Sequence, residues 1–414
     1  MNHRSGLKGI PRDSGSSRNA LAPRLVAKLA EQGITDPTPI QTQAIPHAMN
    51  GRDVMGIAQT GTGKTAAFGL PLIHALTKAG VKPAPKTAAG LILAPTRELA
   101  KQIADNLAAY TRDSHLRVTL VVGGVSINAQ VNRLQRGTDL LVATPGRLID
   151  LVDRKAVFLD QTRFLVLDEA DHVLDLGFIH ALRRIAPLLA DERQTMMFSA
   201  TMPKAMAELS NAYLKNPVRV EVAPQGKAAD KVEQSVHFVD QAGKVAKLIE
   251  HLDQHREETA LVFARTKHGA EKLMKKLVSA GFAASSIHGN KSQGQRDRAI
   301  RELKSGEIRV LVATDVAARG IDIPGVAFVY NYDLPNVAEN YVHRIGRTAR
   351  AGRSGQSVTF CSPDEISELF QIEKFMKADI PVAGGQRWAH AKKPAKPQQR
   401  RRARGRRPQN RRAA

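Results

Sequence analysis

The sequence predicts an α/β protein made of two parallel-sheet domains in tandem, joined by a short linker and followed by a basic tail. Three observations carry that expectation. A chain of 414 residues exceeds what one hydrophobic core serves, so two domains of roughly 150–200 residues each are expected. Short apolar runs alternate with helical patterns twice over, and they are continuous rather than alternating, as in strands covered on both faces. Between the two repeats lies a stretch of breakers and polar residues.

The first unit spans residues 21–222, with strand candidates at Val54 to Ala58, Leu91 to Ala94, Val118 to Val122, Leu140 to Ala143, Phe164 to Leu167 and Met196 to Phe198. Residues 223–230, Ala-Pro-Gln-Gly-Lys-Ala-Ala-Asp, form the expected linker. In the second unit, residues 231–380, strands are expected at Ala260 to Phe263, Val310 to Ala313 and Val326 to Tyr330. Between the first two of these, Ala270, Leu273 and Leu277 share one face of a helix. Residues 1–20 are expected to be a disordered basic extension, and residues 381–414, rich in Pro, Gln and Arg, a disordered tail.

Composition narrows the function classes. A single cysteine, Cys361, excludes an internal disulfide framework and suits a reducing compartment. Met1 to Ala20 lacks the apolar run of a signal peptide, and no apolar stretch approaches the ~20 residues that span a bilayer. A cytoplasmic protein is therefore expected. The net charge of +23 points to a polyanionic partner. Twelve Lys and Arg and no acidic residue fall between Arg387 and Ala414, so half of the excess sits in the tail. That tail lacks large apolar residues beyond Trp388, which favours nucleic acid over a membrane surface.

The chemistry begins after the first strand, with Ala58, Gln59, Thr60, Gly61, Thr62, Gly63, Lys64 and Thr65 leading into a helical pattern. Glycines let backbone N–H groups wrap a phosphate, and the following helix N-terminus adds positive potential. Lys64 suits the β/γ-phosphates of a nucleotide and the Thr65 hydroxyl suits Mg2+, although Ala58 stands where the usual phosphate-loop pattern has glycine. The strand Phe164 to Leu167 ends in Asp168 and Glu169: Asp168 suits the magnesium shell, while Glu169 can orient and deprotonate an attacking water. The two segments together specify an NTPase.

Asp168-Glu169-Ala170-Asp171 is also the signature of the DEAD-box RNA helicases, and the chain resembles that family from roughly Leu21 to Lys377. The other family segments stand in family order: Pro37 to Gln41, Pro95 to Leu99, Gly123-Gly124, Thr144 to Arg147, Ser199 to Thr201, Val262 to Thr266, Gln293 to Arg296, Ala313 to Asp322 and His343 to Arg350. Any one of them arises by chance; the ordered set does not. With its basic tail the chain looks like the bacterial RhlE-type subgroup.

The resemblance implies two RecA-like domains and RNA-stimulated ATP hydrolysis, coupled to a domain closure that locally unwinds short RNA duplexes or remodels RNA–protein complexes. It implies adenine recognition by Gln41, with Ile34 at the base, and nucleotide contacts from Gly320 and Asp322. Arg347 and Arg350 match arginine fingers, which neutralise the transferring phosphoryl group. Asp171, Ser199, Thr201 and His343 match positions that couple RNA to nucleotide. The implied RNA contacts are Thr96, Arg97, Gly124, Thr144, Arg147, Thr266, Gln293, Arg296, Thr314 and Asp315. Hydroxyls, backbone groups and arginines suit phosphate and 2′-OH contacts. Aromatic content of 4% argues against a base-stacking platform.

Two positions depart from the family pattern. Ile34 stands where an aromatic usually packs on adenine, and a further upstream Phe has no counterpart near Ser16 or Ser17. Ala349 replaces a glycine between the two arginine fingers; a negative φ there would make the change harmless. The expected partners are single-stranded RNA and short duplexes, with the tail adding nonspecific affinity. A monomer is expected, and ribosomal precursors or the RNA-decay machinery fit as partners. Two other readings stay open: an annealing chaperone timed by ATP, and a DNA-directed helicase.

Overall fold

The computed structural model describes residues 21–31, 33–58, 61–202, 204–222, 232–318, 326–349 and 355–388. The expected extension at 1–20, the linker at 223–230 and residues 389–414 of the tail lie outside the described residues, as do Thr60, Gly320, Asp322 and Arg350.

Two seven-stranded sheets form the scaffold. The first contains β1 (Val54–Ile57), β2 (Ala88–Leu93), β3 (Val118–Val121), β4 (Thr138–Ala143), β5 (Phe164–Leu167), β6 (Gln194–Ser199) and β7 (Val218–Glu221). The second contains β8 (Val232–Phe238), β9 (Ala260–Phe263), β10 (Ala284–Ile287), β11 (Val310–Ala313), β12 (Phe328–Asn331), β13 (Gly355–Cys361) and β14 (Val382–Gly384). Strand order is β3-β4-β2-β5-β6-β1-β7 in one and β10-β11-β9-β12-β13-β8-β14 in the other, the same order displaced by seven strands. Every pairing is parallel. The expected two-domain α/β architecture is what the chain adopts.

Both sheets are covered on both faces, which explains the continuous apolar runs. Along β5, Val166 joins the cluster around Phe68 and Phe198, while Leu165 and Leu167 join the opposite cluster around Met197 and Tyr213. Along β9, Val262 faces Phe360 and Leu261 faces Ile287 in the same alternation.

The fold runs past the expected boundary at residue 380. Val382–Gly384 adds an edge strand to β8. Beyond it, Arg387 pairs with Glu373, and the Trp388 indole N–H donates to the Cys361 carbonyl at 3.3 Å. A Pro- and Arg-rich composition hides this stretch, because its stabilising groups are one strand edge, one cation and one indole rather than an apolar run.

The repeat exposes a correspondence between two lysines. β1 and β8 hold the same place in their sheets, and each leads through a glycine into a helix opening with lysine: Gly63 into Lys64–Ala79, Gly243 into Lys244–Gln254. Gly63 is left-handed, with φ 89°, whereas Gly243 is right-handed, with φ −81°. Lys244 is fully buried and its ammonium donates to the Tyr332 carbonyl at 2.8 Å and to the Glu365 carboxylate. Arg265 shares that carboxylate at 3.1 Å. The second domain thus neutralises its own lysine internally, which leaves nothing for a phosphate.

Candidate nucleotide and RNA site

The residues expected to hold a nucleotide meet at the carboxyl ends of β1 and β5, the position where open α/β sheets bind ligands. Gly61 and Gly63 both take positive φ, 86° and 89°, a backbone that glycine adopts without strain. A Cβ on Gly63 would overlap the Gln41 amide. Lys64, 6% exposed, opens the helix, and its ammonium makes no hydrogen bond among the described residues. The Asp168 carboxylate lies 3.9 Å away, beyond hydrogen-bond length. Thr65 is half-buried on the same turn. A buried cationic donor without an acceptor is costly unless a ligand supplies one. These donors, with an adjacent buried carboxylate, fit a polyphosphate carrying a divalent cation.

Three carboxylates surround this point. Burial lifts the Asp168 carboxyl to about 6, against the pull of Lys64. Burial acts on Glu169 in the same direction, but the hydrogen bond and charge of His172, with Lys64 and Arg347 behind them, hold it well below the usual carboxylate range. Glu169 also occupies the left-handed region, with φ 48° and ψ 50°, at the start of the short helix Ala170–Asp175. A non-glycine residue held there stores strain that the surrounding contacts must support. Asp171 is lowered as well, burial being outweighed by His172, Lys64 and His343. Its Oδ2 accepts from Ala200 N–H at 3.1 Å, Thr201 N–H at 2.9 Å and the Thr201 hydroxyl at 3.0 Å. The Ser199 hydroxyl donates to the Thr201 carbonyl at 2.7 Å. The Ser199–Thr201 turn is thereby tied to Asp171.

At the end expected to face adenine, Gln41 is 4% exposed and spans two backbone groups. Its Oε1 accepts from Thr38 N–H at 3.1 Å and its Nε2 donates to the Gly63 carbonyl at 3.0 Å. One amide hydrogen and one oxygen lone pair remain for a base edge. Ala58 is buried, its N–H donating to the Ser199 carbonyl at 2.9 Å, and Ile34 packs on the first-domain core. Thr62 lies half-buried between the two loop glycines.

Arg347, 4% exposed, follows the second-domain helix that carries His343, and its charge contributes to holding the Glu169 carboxyl low. Ala349, two residues on, has φ 55°, so the harmless negative-φ case does not hold. His343, on the helix Ala338–Ile345, lies 3.4 Å from His172.

The RNA-contact candidates lie at the carboxyl ends of matching strands. Thr96 follows β2 and Thr266 follows β9; each caps a helix with nearly the same backbone, φ −123° and −122°. Thr144 follows β4 and Thr314 follows β11, and both are buried. The Arg97 guanidinium packs against Gly123 and Gly124, and a Cβ on Gly124 would overlap it. Arg147 donates to the Val125 carbonyl at 3.1 Å. Three further candidates are engaged by charged or amide side chains of the protein. Gln293 donates to Glu98 of the first domain at 3.1 Å, Arg296 pairs with the same carboxylate at 2.9 Å, and Asp315 accepts from Arg344 at 2.6 and 2.8 Å.

Sequence reasoning missed Arg344, Gln130 and His172. Arg344, 2% exposed, ties Asp315 to Asn331 and to the Asp333 carbonyl. Gln130 pins the loop before Gly123 by bonding both backbone groups of Val122, at 3.0 and 3.1 Å. Arg344 stands inside a quoted motif, so its burial was the only missing signal; the other two stand outside every motif.

Residues 38–209 match the DEAD/DEAH box helicase family and residues 243–352 the helicase conserved C-terminal domain. An ATP-dependent RNA helicase, CshA, of Listeria monocytogenes is 41% identical over 375 residues, which cover 91% of this chain and 71% of that protein. S. cerevisiae Dbp5 bound to RNA and ADP BeF3 superposes with a TM-score of 0.76 at 32% identity, over 88% of this chain and 94% of that one. The DEAD-box helicase Mss116 bound to ssRNA and UDP-BeF gives 0.81 at 29% identity, over 92% of this chain and 81% of that one. With both helicase domains matched, a 41% identical relative and a common two-sheet fold, the chain belongs to the DEAD-box family of RNA helicases.

Proposed function

We propose that the protein is an ATP-dependent RNA helicase that hydrolyses ATP when RNA brings its two domains together, and that this closure locally unwinds short duplexes. The observation that carries the reading is the buried Lys64 ammonium beside Asp168, which makes no hydrogen bond among the described residues. Gly61 and Gly63 free the backbone N–H groups that bind the phosphate chain, and Lys64 takes the β/γ oxygens. Thr65 and Asp168 would hold Mg2+, which when bound neutralises phosphate charge and spares Asp168 the cost of ionising in a buried place. Glu169, kept ionised, orients the attacking water and accepts its proton once the bond to phosphorus has formed. Arg347 and Arg350 supply charge to the transferring group only in the closed state.

RNA lies along both domains on the threonines that follow β2, β4, β9 and β11, gripped by its backbone rather than its bases. Arg97 and Arg147 supply cationic contacts, Gly124 allows close approach, and Gln293 with Arg296 fastens the domains across Glu98. The tail adds sequence-independent affinity. The enzyme acts as a monomer in the cytoplasm.

Strand displacement tests the reading. A short RNA duplex with a single-stranded overhang should be separated with ATP, and turnover should rise with RNA but not with DNA of the same sequence. Turnover indifferent to RNA would overturn it.

A further inference from the structure

One buried titratable side chain at the site has no task in the hydrolysis reading. His172 is 2% exposed and follows the Asp168–Asp171 signature. Its Nδ1 lies 2.9 Å from Oε2 of Glu169, and its Nε2 lies 3.4 Å from Nδ1 of His343 on the second domain. The two rings meet edge to face, with centroids 5.1 Å apart and planes at 85°. The His172 backbone N–H donates to Asp171 Oδ1 at 3.1 Å, so main chain and ring are both fixed. Each ring nitrogen therefore faces a different domain.

An ionised carboxylate only accepts, so Nδ1 of His172 carries the proton. Its Nε2 meets Nδ1 of His343, a contact in which either nitrogen can be the donor. Either direction leaves the His172 ring held between the two domains.

We propose that His172 is the positioning residue through which closure of the second domain sets the aim of the Glu169 carboxylate. The proposal rests on the reading of Glu169 as the group that orients water. A carboxylate rotates about a soft terminal torsion, so holding Oε2 decides where Oε1 points. While the domains are together, His343 and Glu169 clamp the His172 ring from both sides. When they part, Nε2 loses its partner, the ring is free to turn and Oε1 is no longer aimed. His343 and Arg347 belong to one segment of the second domain, so the same movement that delivers the cation also aims the carboxylate. Closure is then needed twice over, which suppresses hydrolysis in the open protein.

A double-mutant cycle on the full-length protein tests this, with kcat and KM for ATP measured at saturating RNA. His172→Ala should lower kcat roughly ten- to hundredfold, the cost of misplacing a reacting group. KM for ATP should stay within about twofold, because Lys64 and the glycine loop are untouched. His343→Ala should lower kcat at least about fivefold less in the His172→Ala background than in the wild type. If the alanine variant does not fold, His172→Asn serves in the same cycle: its amide replaces Nδ1 toward Glu169 but does not reach His343. Unchanged kcat, or a His343→Ala effect equal within about twofold in both backgrounds, overturns the coupling. Glu169→Gln, measured in parallel, separates the two claims. If it retains wild-type turnover, the reading of Glu169 fails; if it is inactive while the cycle is additive, only the coupling by His172 fails.

Discussion

The Arg296 guanidinium lies 2.9 Å from the Glu98 carboxylate, joining a helix of the second domain to a helix of the first. The two side chains are only 14% and 5% exposed. Gln293 donates to the same carboxylate at 3.1 Å. Glu98 follows Arg97, which rests on the Gly123–Gly124 backbone, so a closure contact and an RNA-contact candidate are neighbours in sequence.

Removing the shared acceptor strands a buried cation. Glu98→Ala should destabilise the closed state by about 1–3 kcal/mol. It should weaken retention of RNA in the presence of an ATP analogue about tenfold or more, while RNA affinity without nucleotide changes little. Filter binding with and without the analogue reads the difference, and equal losses in both would contradict the assignment.

The two corresponding lysines should behave in opposite ways. Lys64→Ala should cost a hundredfold or more in ATP turnover, on the order of what one preorganised charge contributes, with an unfolding midpoint no lower than that of the wild type. Lys244→Met should instead leave Glu365 underpaired and destabilise the second domain by ~3–5 kcal/mol, with nucleotide affinity intact. Denaturant titration and nucleotide binding on both variants check the contrast.

Ala349 holds φ 55° where a Cβ is strained. Ala349→Gly should therefore stabilise the second domain by ~1 kcal/mol, the strain relief exceeding the extra chain entropy of glycine. A lower unfolding midpoint would show that the alanine is accommodated without strain.

His237 provides a pH signature. Burial, with repulsion from His251 and Lys247 and a smaller opposing pull from Glu250, pushes it down to about 4. Its ring packs on His251 at 4.7 Å and on Phe360 at 6.0 Å. Unfolded, an imidazole titrates near ~6.5. The folded value is the lower one, so the unfolded chain binds more protons between the two, and stability falls as pH drops through that window. The second-domain unfolding midpoint should fall between about pH 7 and pH 5, and less steeply in His237→Gln. Parallel slopes would contradict the assignment.

What the sequence displayed and what it hid follow from how each element is stabilised. β5 and β9 read as strands because every residue along them is apolar. β13 did not, because Ser357 and Thr359 are fully buried in it and both accept from the Asn331 amide at 3.3 Å. Polar side chains satisfied by one another inside a sheet leave no hydrophobic signal. The phosphate loop and the Asp168–Asp171 run were legible because their chemistry is local. The pairing of Glu98 with Arg296 and of His172 with His343 was not, since each partner comes from the other domain and no spacing rule connects them.

In the proposed mechanism Glu169 is the carboxylate that orients the attacking water. Glu169→Gln keeps the shape and removes the charge. The variant should bind an ATP analogue and RNA at wild-type strength, with RNA-stimulated turnover reduced about a hundredfold or more. Wild-type turnover from that variant would contradict the mechanism.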